Sequence, residues 1–387
     1  MSGPIRTLYL RDTTFVCGPG KTILNTFRTA NRANVSITLG VPCSAPESNA
    51  FIAAAKAIGL PVVDLPEEGG LDLGTTKTLA RVIRDGEYDL VQSHDFRTRR
   101  LASLACVSAG VPHVTSVHGW IANSRKQRVT RVIDQMLIRR ARRVIAVSNR
   151  LVRDLVESGT PRERITMLPN AVLLDDYPPA MPADRARQEL GLPASSRCIG
   201  IVGRLSAEKR HDLFLEMAAD LAPSHPDLFF LIVGHGRMHA DLQRLAGQLK
   251  VANRVLFLGH RSDMHRIYAA LNLLVLCSDT EGMPNVVLEA FAYNRPVVAT
   301  RVGGVAEVVS DAENGLIVPP GERAPLVQAV RSILNDAGSA ARLGQCGRTT
   351  VEERFEFRQR TAALEALYQS ILDVRPQRRS LANAIDR

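Results

Sequence analysis

Short apolar runs of strand length alternate with helix-patterned segments along nearly the whole of this 387-residue chain, and the alternation restarts once. The first series places strands at 7–10, 35–41, 61–65, 90–94, 113–118 and 143–147, with helical spacing over 22–33, 49–59, 75–84, 97–110 and 124–142 between them. Strand, helix, strand in this order builds a parallel sheet, because a parallel pair needs a long crossover, and the crossover helices cover both faces of the sheet. Residues 173–197, with Pro178, Pro179, Pro182 and Pro193, read as a linker holding a short helix. A second series then puts strands at 198–202, 228–233, 255–258, 273–276, 296–300 and 316–318, and helices at 211–221, 238–249, 264–270, 286–293 and 325–334. The expectation is two doubly wound α/β domains, alike in architecture and not in sequence. Two long helices, 341–355 and 358–374, close the chain, and the polar tail 375–387 is expected to be loose.

No apolar run approaches the roughly 18–20 residues needed to cross a bilayer. The opening MSGPIRTLYLRD has no long apolar signal core, which argues against export. Six scattered cysteines without a Cys-x-x-Cys pair read as reduced thiols of a cytosolic protein, not as a disulfide frame or a zinc site. The net charge of +10 is uneven: residues 1–180 hold 24 basic against 16 acidic side chains. Eight of these basic residues lie in 125–143, against the single acid Asp134. There Val129, Val132, Ile133, Met136, Leu137 and Ile138 keep helical spacing, which makes an amphipathic helix with a cationic face. Such a face suits an anionic membrane surface or a phosphorylated substrate; a solvated charge run on a core-packed helix is the plainer alternative. Nucleic acid is excluded as a partner, since aromatics are only 5% and no stacking motif occurs.

Ligands of open α/β sheets bind beyond the carboxyl ends of the strands, and the unusual residues fall there. After the first strand comes Val16-Cys17-Gly18-Pro19-Gly20-Lys21-Thr22, where Gly18 and Gly20 let a phosphate approach the backbone. The GKT triplet is no P-loop, because Phe15 stands where that motif needs its first glycine. The fifth strand ends at His118-Gly119-Trp120, and a histidine there can donate to a sugar oxygen or steady a developing charge. The first strand of the second series leads into Gly203-Arg204-Leu205-Ser206-Ala207-Glu208-Lys209, whose Arg204 and Lys209 can grip a diphosphate.

After the strand 273–276 the chain reads S-D-T-E-G-M-P-N-V-V-L-E-A over 278–290. Glu281 lies on the loop, Gly282 turns the chain, and a helix starts near Pro284, where proline's fixed φ and missing N–H do no harm. The helix N-terminus offers N–H groups to a phosphate or hydroxyl, and the Glu289 carboxylate can accept from two vicinal hydroxyls. Taken singly, each of these residues also has a purely structural reading: a packed histidine, a solvated cation, a helix-start acid.

Together, G-R-L-S-A-E-K, L-I-V-G-H-G over 231–236, F-L-G-H-R-S-D-M over 257–264 and the E-x7-E block of Glu281 and Glu289 strongly resemble the family 4 glycosyltransferases of GT-B type. Weaker likenesses upstream are the glycine turn at 18–20, H-G-W, A-V-S-N over 146–149 and L-P-N-A-V over 168–172. The resemblance implies two Rossmann-like domains facing a central cleft: an acceptor-side domain over 1–175, joined by the terminal helix 358–387, and a nucleotide-sugar-binding domain over 176–357. It assigns Arg204 and Lys209 to the donor diphosphate and Glu289 to the ribose. Glu281 with the loop Gly282, Met283, Pro284 and Asn285 falls to the donor sugar, and the backbone near Leu258 and Gly259 to the base. His118 is placed across the cleft at the sugar, and Gly18 and Gly20 near the diphosphate and acceptor. Two departures stand out: Asn170-Ala171 where the family commonly has Asn-Gly, and Gly-Pro-Gly-Lys in the first loop, where Pro19 lacks an N–H and Lys21 stands ready to compensate.

The implied reaction is hexosyl transfer from a UDP- or GDP-sugar co-substrate with retained anomeric configuration, to a lipid-linked or polysaccharide-precursor acceptor. Fixed cations and a helix N-terminus would stabilise the leaving diphosphate without metal; no D-x-D motif occurs. The expected location is the cytoplasm, peripherally on the inner face of the membrane. Two alternatives remain: a nucleotide-sugar 2-epimerase of the same architecture, and a non-catalytic nucleotide-sugar-binding protein.

Overall fold

A computed structural model describes residues 3–66, 73–119, 125–178 and 181–373, without the side chains of 125–128. The expectations for Trp120 and for the tail 375–387 lie outside these residues. The chain divides into two compact units, one running to Asn170 and resuming at Phe357, the other spanning Ala171–Glu356.

The first unit is built on seven parallel strands: β1 (Ile5–Leu10), β2 (Val35–Pro42), β3 (Val62–Leu65), β4 (Leu90–Ser93), β5 (His113–Val117), β6 (Arg143–Ala146) and β7 (Ile165–Met167). Their spatial order is β3-β2-β1-β4-β5-β6-β7. The second unit holds six: β8 (Arg197–Val202), β9 (Leu228–Val233), β10 (Val255–Gly259), β11 (Leu273–Leu276), β12 (Val297–Thr300) and β13 (Leu316–Val318). Their order is β10-β9-β8-β11-β12-β13. Each sheet reverses its winding once, between β1 and β4 and between β8 and β11. In doubly wound sheets that reversal opens the crevice where ligands sit.

Both sheets are buried under helices, which explains the near-continuous apolar runs. Every residue of β4, β5, β11 and β12 is buried. Along β1 the side chains alternate between two cores. Leu8 and Leu10 join Leu79, Ile83 and Leu101. Tyr9 joins Ile23, Phe51 and the terminal-helix residues Leu364, Tyr368 and Ile371. That terminal helix, Phe357–Asp373, is held in the first unit by polar contacts too: Thr361 to Thr29 at 2.6 Å and Asn34 to Glu365 at 2.9 Å.

The six sequence-read strands of the first series miss β7, whose three residues are too few to stand out from a loop. The helix Asn149–Glu157 before it was also missed, although Ser148 caps it and Leu151, Val152 and Leu155 carry its buried face. The helix read over 22–33 is Gly18–Thr29, so Gly18, Pro19 and Gly20 form its first turn, with extended Cys17 as cap.

The basic segment departs furthest from expectation. In the helix Arg125–Arg140 the apolar stripe Val129, Val132, Ile133 and Met136 faces solvent, 44–62% exposed. The inward positions are Asp134 and Ile138. Buried Asp134 accepts a hydrogen bond from buried Arg99 of the helix Phe96–Ala109. That pair fixes the rotation of the helix, because turning Asp134 outward would strand a buried guanidinium. Leu104 and Val107 of the neighbouring helix are exposed as well, at 49% and 82%.

Candidate functional site

In the second unit, β8 ends at Val202 and the chain turns through Gly203 and Arg204 into a short 3-10 turn, Ala207–Lys209. Close approach of backbones builds this edge. A Cβ on Gly234, at φ +134, would stand 1.9 Å from the Gly203 carbonyl oxygen, so only glycine fits after β9. Gly234 N–H donates to Gly259 O at 2.8 Å, which brings the end of β10, with Leu258 and Gly259, to the same edge. The rings of His235 and His260 meet there edge to face at 5.8 Å.

Beyond β11, the Glu281 carboxylate is held twice: Lys209 Nζ and Ser278 Oγ each donate to its Oε1 at 2.6 Å. The Glu281 side chain is 9% exposed and that of Lys209 22%. The backbone is tied alongside, Asp279 N–H to Glu208 O at 2.8 Å and Gly304 N–H to Gly282 O at 3.0 Å. Arg204 donates to Glu208 at 2.9 Å, and Ser206 to the same oxygen at 2.7 Å. Burial pushes the Glu208 carboxyl up, but the Ser206 hydroxyl and the charges of Arg204 and Lys209 outweigh it, and its pKa ends below the usual carboxylate range. Both cations thus stand at the β8–β11 winding reversal, each against a carboxylate.

The loop Gly282–Pro284 leads into the helix Asn285–Ala292, with extended Pro284 as its cap and Met283 buried. Glu289 is 6% exposed and accepts from Tyr268 Oη at 2.8 Å. Tyr268 stacks on Tyr293, which meets Tyr177 edge to face. A buried carboxylate with one lone-pair direction fixed by a phenol is preorganised to accept further hydroxyls. Tyr268 carries no sequence signal, because it lies 21 residues upstream.

Gly18, Gly20 and His118 belong to the first unit, where they follow β1 and β5 around the other winding reversal. His118 stacks on His94, which follows β4, with ring centroids 6.0 Å apart. A hydrogen-bond chain sets the protons of His94. Tyr368 Oη donates to Gln92 Oε1, so the Gln92 amide N–H groups point to Ser116 Oγ at 3.1 Å and His94 Nε2 at 3.2 Å. His94 Nε2 must accept, which leaves the proton on Nδ1. Burial, then the charges of Arg11, Arg360 and Arg99, pulls the His118 pKa down to about 3. Burial, then His118 and the same three arginines, pull His94 down as well. Both imidazoles are therefore neutral at ordinary pH. His94 Nδ1 and His118 Nε2 have no hydrogen-bond partner among the described residues.

Among the described residues, no group of three or more His, Cys, Asp and Glu could hold a metal ion, and no helix is long and apolar enough to cross a membrane.

Comparison with known proteins agrees on one family. Residues 182–350 match the family description "Glycosyl transferases group 1", and residues 17–176 match "Glycosyltransferase Family 4". A D-inositol 3-phosphate glycosyltransferase of Nocardia farcinica is 32% identical over 317 residues, 76% of this chain and 69% of that protein. An Escherichia coli UDP-Gal:alpha-D-GlcNAc-diphosphoundecaprenol alpha-1,3-galactosyltransferase is 28% identical over 275 residues, 68% of this chain and 71% of that one. The fold matches that of Anabaena HepE, solved with UDP and glucose, at a TM-score of 0.85 and 22% identity, covering 95% of this chain and all of the other.

Proposed function

The chain is a family 4 (group 1) glycosyltransferase of GT-B architecture that uses a nucleotide sugar, and from that membership we propose a retaining, metal-independent transfer from a UDP- or GDP-sugar to a lipid-linked or polysaccharide-precursor acceptor. The observation that carries the reading is the Lys209–Glu281 contact at the β8–β11 reversal, with Arg204 on the same edge. These cations are placed to exchange their carboxylate partners for the oxygens of a diphosphate. As the sugar bond breaks, negative charge builds on the leaving nucleotide, and fixed cations stabilise it without reorganisation. This is the ground for metal independence.

Glu281, once Lys209 turns to phosphate, is freed to accept from hydroxyls of the donor sugar, backed by the loop Gly282 to Asn285. Glu289, oriented by Tyr268, takes the ribose hydroxyls. Backbone at Leu258 and Gly259 takes the base. His118 acts as a neutral imidazole, offering a hydrogen bond to the transferred sugar, in keeping with a pKa that burial and nearby arginines hold down to about 3. Gly18, half-buried at the start of its helix, is assigned to the acceptor side; Gly20 is buried and a Cβ there would meet the Phe51 ring at 3.2 Å, so its role is close packing and not approach to a ligand.

The acceptor reading is supported by two observations. The relatives described above are named for transfer to an inositol phosphate and to a diphosphoundecaprenol-linked sugar. The helix Arg125–Arg140 presents exposed Val129, Val132, Ile133 and Met136 between Arg131, Arg139 and Arg140, a pattern suited to shallow insertion among anionic headgroups. A peripheral enzyme on the cytoplasmic face of a membrane fits both.

The test of the reaction is sugar transfer to lipid-linked saccharides before and after chelation, with the product's anomeric configuration read by NMR. Full activity after chelation and a retained anomer are expected; activity that disappears and returns with magnesium or manganese contradicts metal independence. For the membrane, sedimentation with anionic vesicles should weaken on Ile133→Asp and on neutralising Arg139, Arg140, Arg142 and Arg143. Unchanged sedimentation in both variants removes that part of the reading.

A further inference from the structure

Arg210 opens the helix His211–Leu221 in the left-handed conformation, φ +52 and ψ +46. A side chain with a Cβ pays a steric penalty there that glycine does not. Glu87, Lys250 and Asn294 also have positive φ, each just past the end of a helix, where a left-handed residue commonly closes the last turn, and Ala312, at φ +61, lies in the turn before β13. Arg210 does two things at once: it closes the 3-10 turn Ala207–Lys209, its N–H donating to Ala207 O at 3.1 Å, and it opens the helix His211–Leu221 directly behind it.

The side chain shows what is gained. Arg210 Nε donates to both oxygens of Asp212 at 3.1 Å, and Nη2 donates to Asp212 Oδ2 at 3.1 Å. Nη1 reaches across to Asp279 Oδ1 at 3.3 Å. Asp279 lies two residues before Glu281, on the loop after β11. One planar guanidinium therefore ties the loop after β8, which carries Lys209, to the loop that carries Glu281. The left-handed turn lets Lys209 and Arg210, adjacent in sequence, both reach that second loop.

We propose that Arg210 is a positioning residue that holds the Asp279–Gly282 segment, and with it the Glu281 carboxylate, in register with Lys209. The inference deepens the transferase reading and rests on it for Glu281's role, but its structural content is measurable without turnover.

The first measurement is amide hydrogen exchange over 278–285 in the unliganded protein. Arg210→Gly and, separately, Asp279→Asn should each accelerate exchange in that segment about tenfold. Lys250→Gly relieves a left-handed residue before β10, at the opposite edge of the sheet, and should leave it unchanged. The second is hydrolysis of UDP-glucose and GDP-mannose. For whichever is turned over, kcat should fall about tenfold in Arg210→Gly, with KM within about threefold, and Arg210→Lys should recover part of it. The double variant Arg210→Gly/Asp279→Asn should be no worse than either single one, because both break one link. Wild-type exchange over 278–285 in both single variants overturns the proposal, whatever the enzyme does with a donor. Additive losses of kcat overturn it too.

Discussion

Lys209 Nζ lies 2.6 Å from Glu281 Oε1, joining two residues 72 positions apart on the loops after β8 and β11. The pair is mostly shielded, so removing one partner leaves the other a desolvated charge. Lys209→Ala should lower stability by about 1–3 kcal/mol in urea denaturation and weaken nucleoside diphosphate binding more than tenfold. A variant of wild-type stability would mean that the contact is as weak as an exposed surface pair.

Gly303, at φ +52, has no room for a side chain: a Cβ there would stand 1.6 Å from the Glu281 carbonyl oxygen. Gly303→Ala combines a left-handed alanine with a backbone clash, and should cost about 2–4 kcal/mol. Because the clash is with Glu281 itself, donor hydrolysis should fall further than stability alone explains. Thermal melting and hydrolysis measured together check this.

Tyr268→Phe deletes the phenol that orients Glu289 and leaves the carboxylate short of a donor. Affinity for the preferred ribonucleoside diphosphate should drop about five- to twentyfold, or about 1–2 kcal/mol. The 2′-deoxy analogue should lose much less, since the ribose hydroxyls are Glu289's assigned ligands. Equal losses for the two would separate Glu289 from the ribose.

Three histidines of the first unit, His94 and His113 buried and His118 half-buried, make acid destabilising. His113 and His118 are held down to about 3, His94 is lowered too, and all three start from 6.5. Burial is the first cause in each case. Below 6.5 the unfolded chain binds protons that the folded chain refuses. Stability is therefore complete above that value and declines as pH falls towards about 3, by at most about 1.4 kcal/mol per pH unit for each histidine. Denaturation midpoints between pH 7.5 and 4.5 measure the slope, and His113→Asn should flatten it. In the unliganded protein His118 should show no titration near 6.5 by NMR.

The architecture was legible because parallel strands buried on both faces write themselves as apolar runs, and the second unit's six strands stand where those runs are. The assigned residues were legible as motifs, since Arg204, Lys209 and Glu281 lie on the chain leaving β8 and β11, and Glu289 lies about a turn into the helix Asn285–Ala292. What stayed hidden was partnership across sequence. Tyr268 for Glu289, Ser278 and Lys209 for Glu281, and Gln92 and Tyr368 for His94 are fixed by how distant elements pack, and single-chain periodicity carries no such information. The rotation of the helix Arg125–Arg140 was hidden for the same reason. Its apolar stripe reads as a core face until the buried Arg99–Asp134 pair claims that side.

In the reading proposed above, Arg204, Lys209, Glu281 and Glu289 bind the diphosphate and ribose of a nucleotide sugar. Calorimetric titration of the purified protein with UDP, GDP, ADP and CMP, alongside Arg204→Ala, tests it directly. Micromolar binding of one nucleoside diphosphate, weakened at least tenfold in the variant, is the predicted result and identifies the base. Absence of binding by all four, or equal binding by wild type and Arg204→Ala, would contradict the claim.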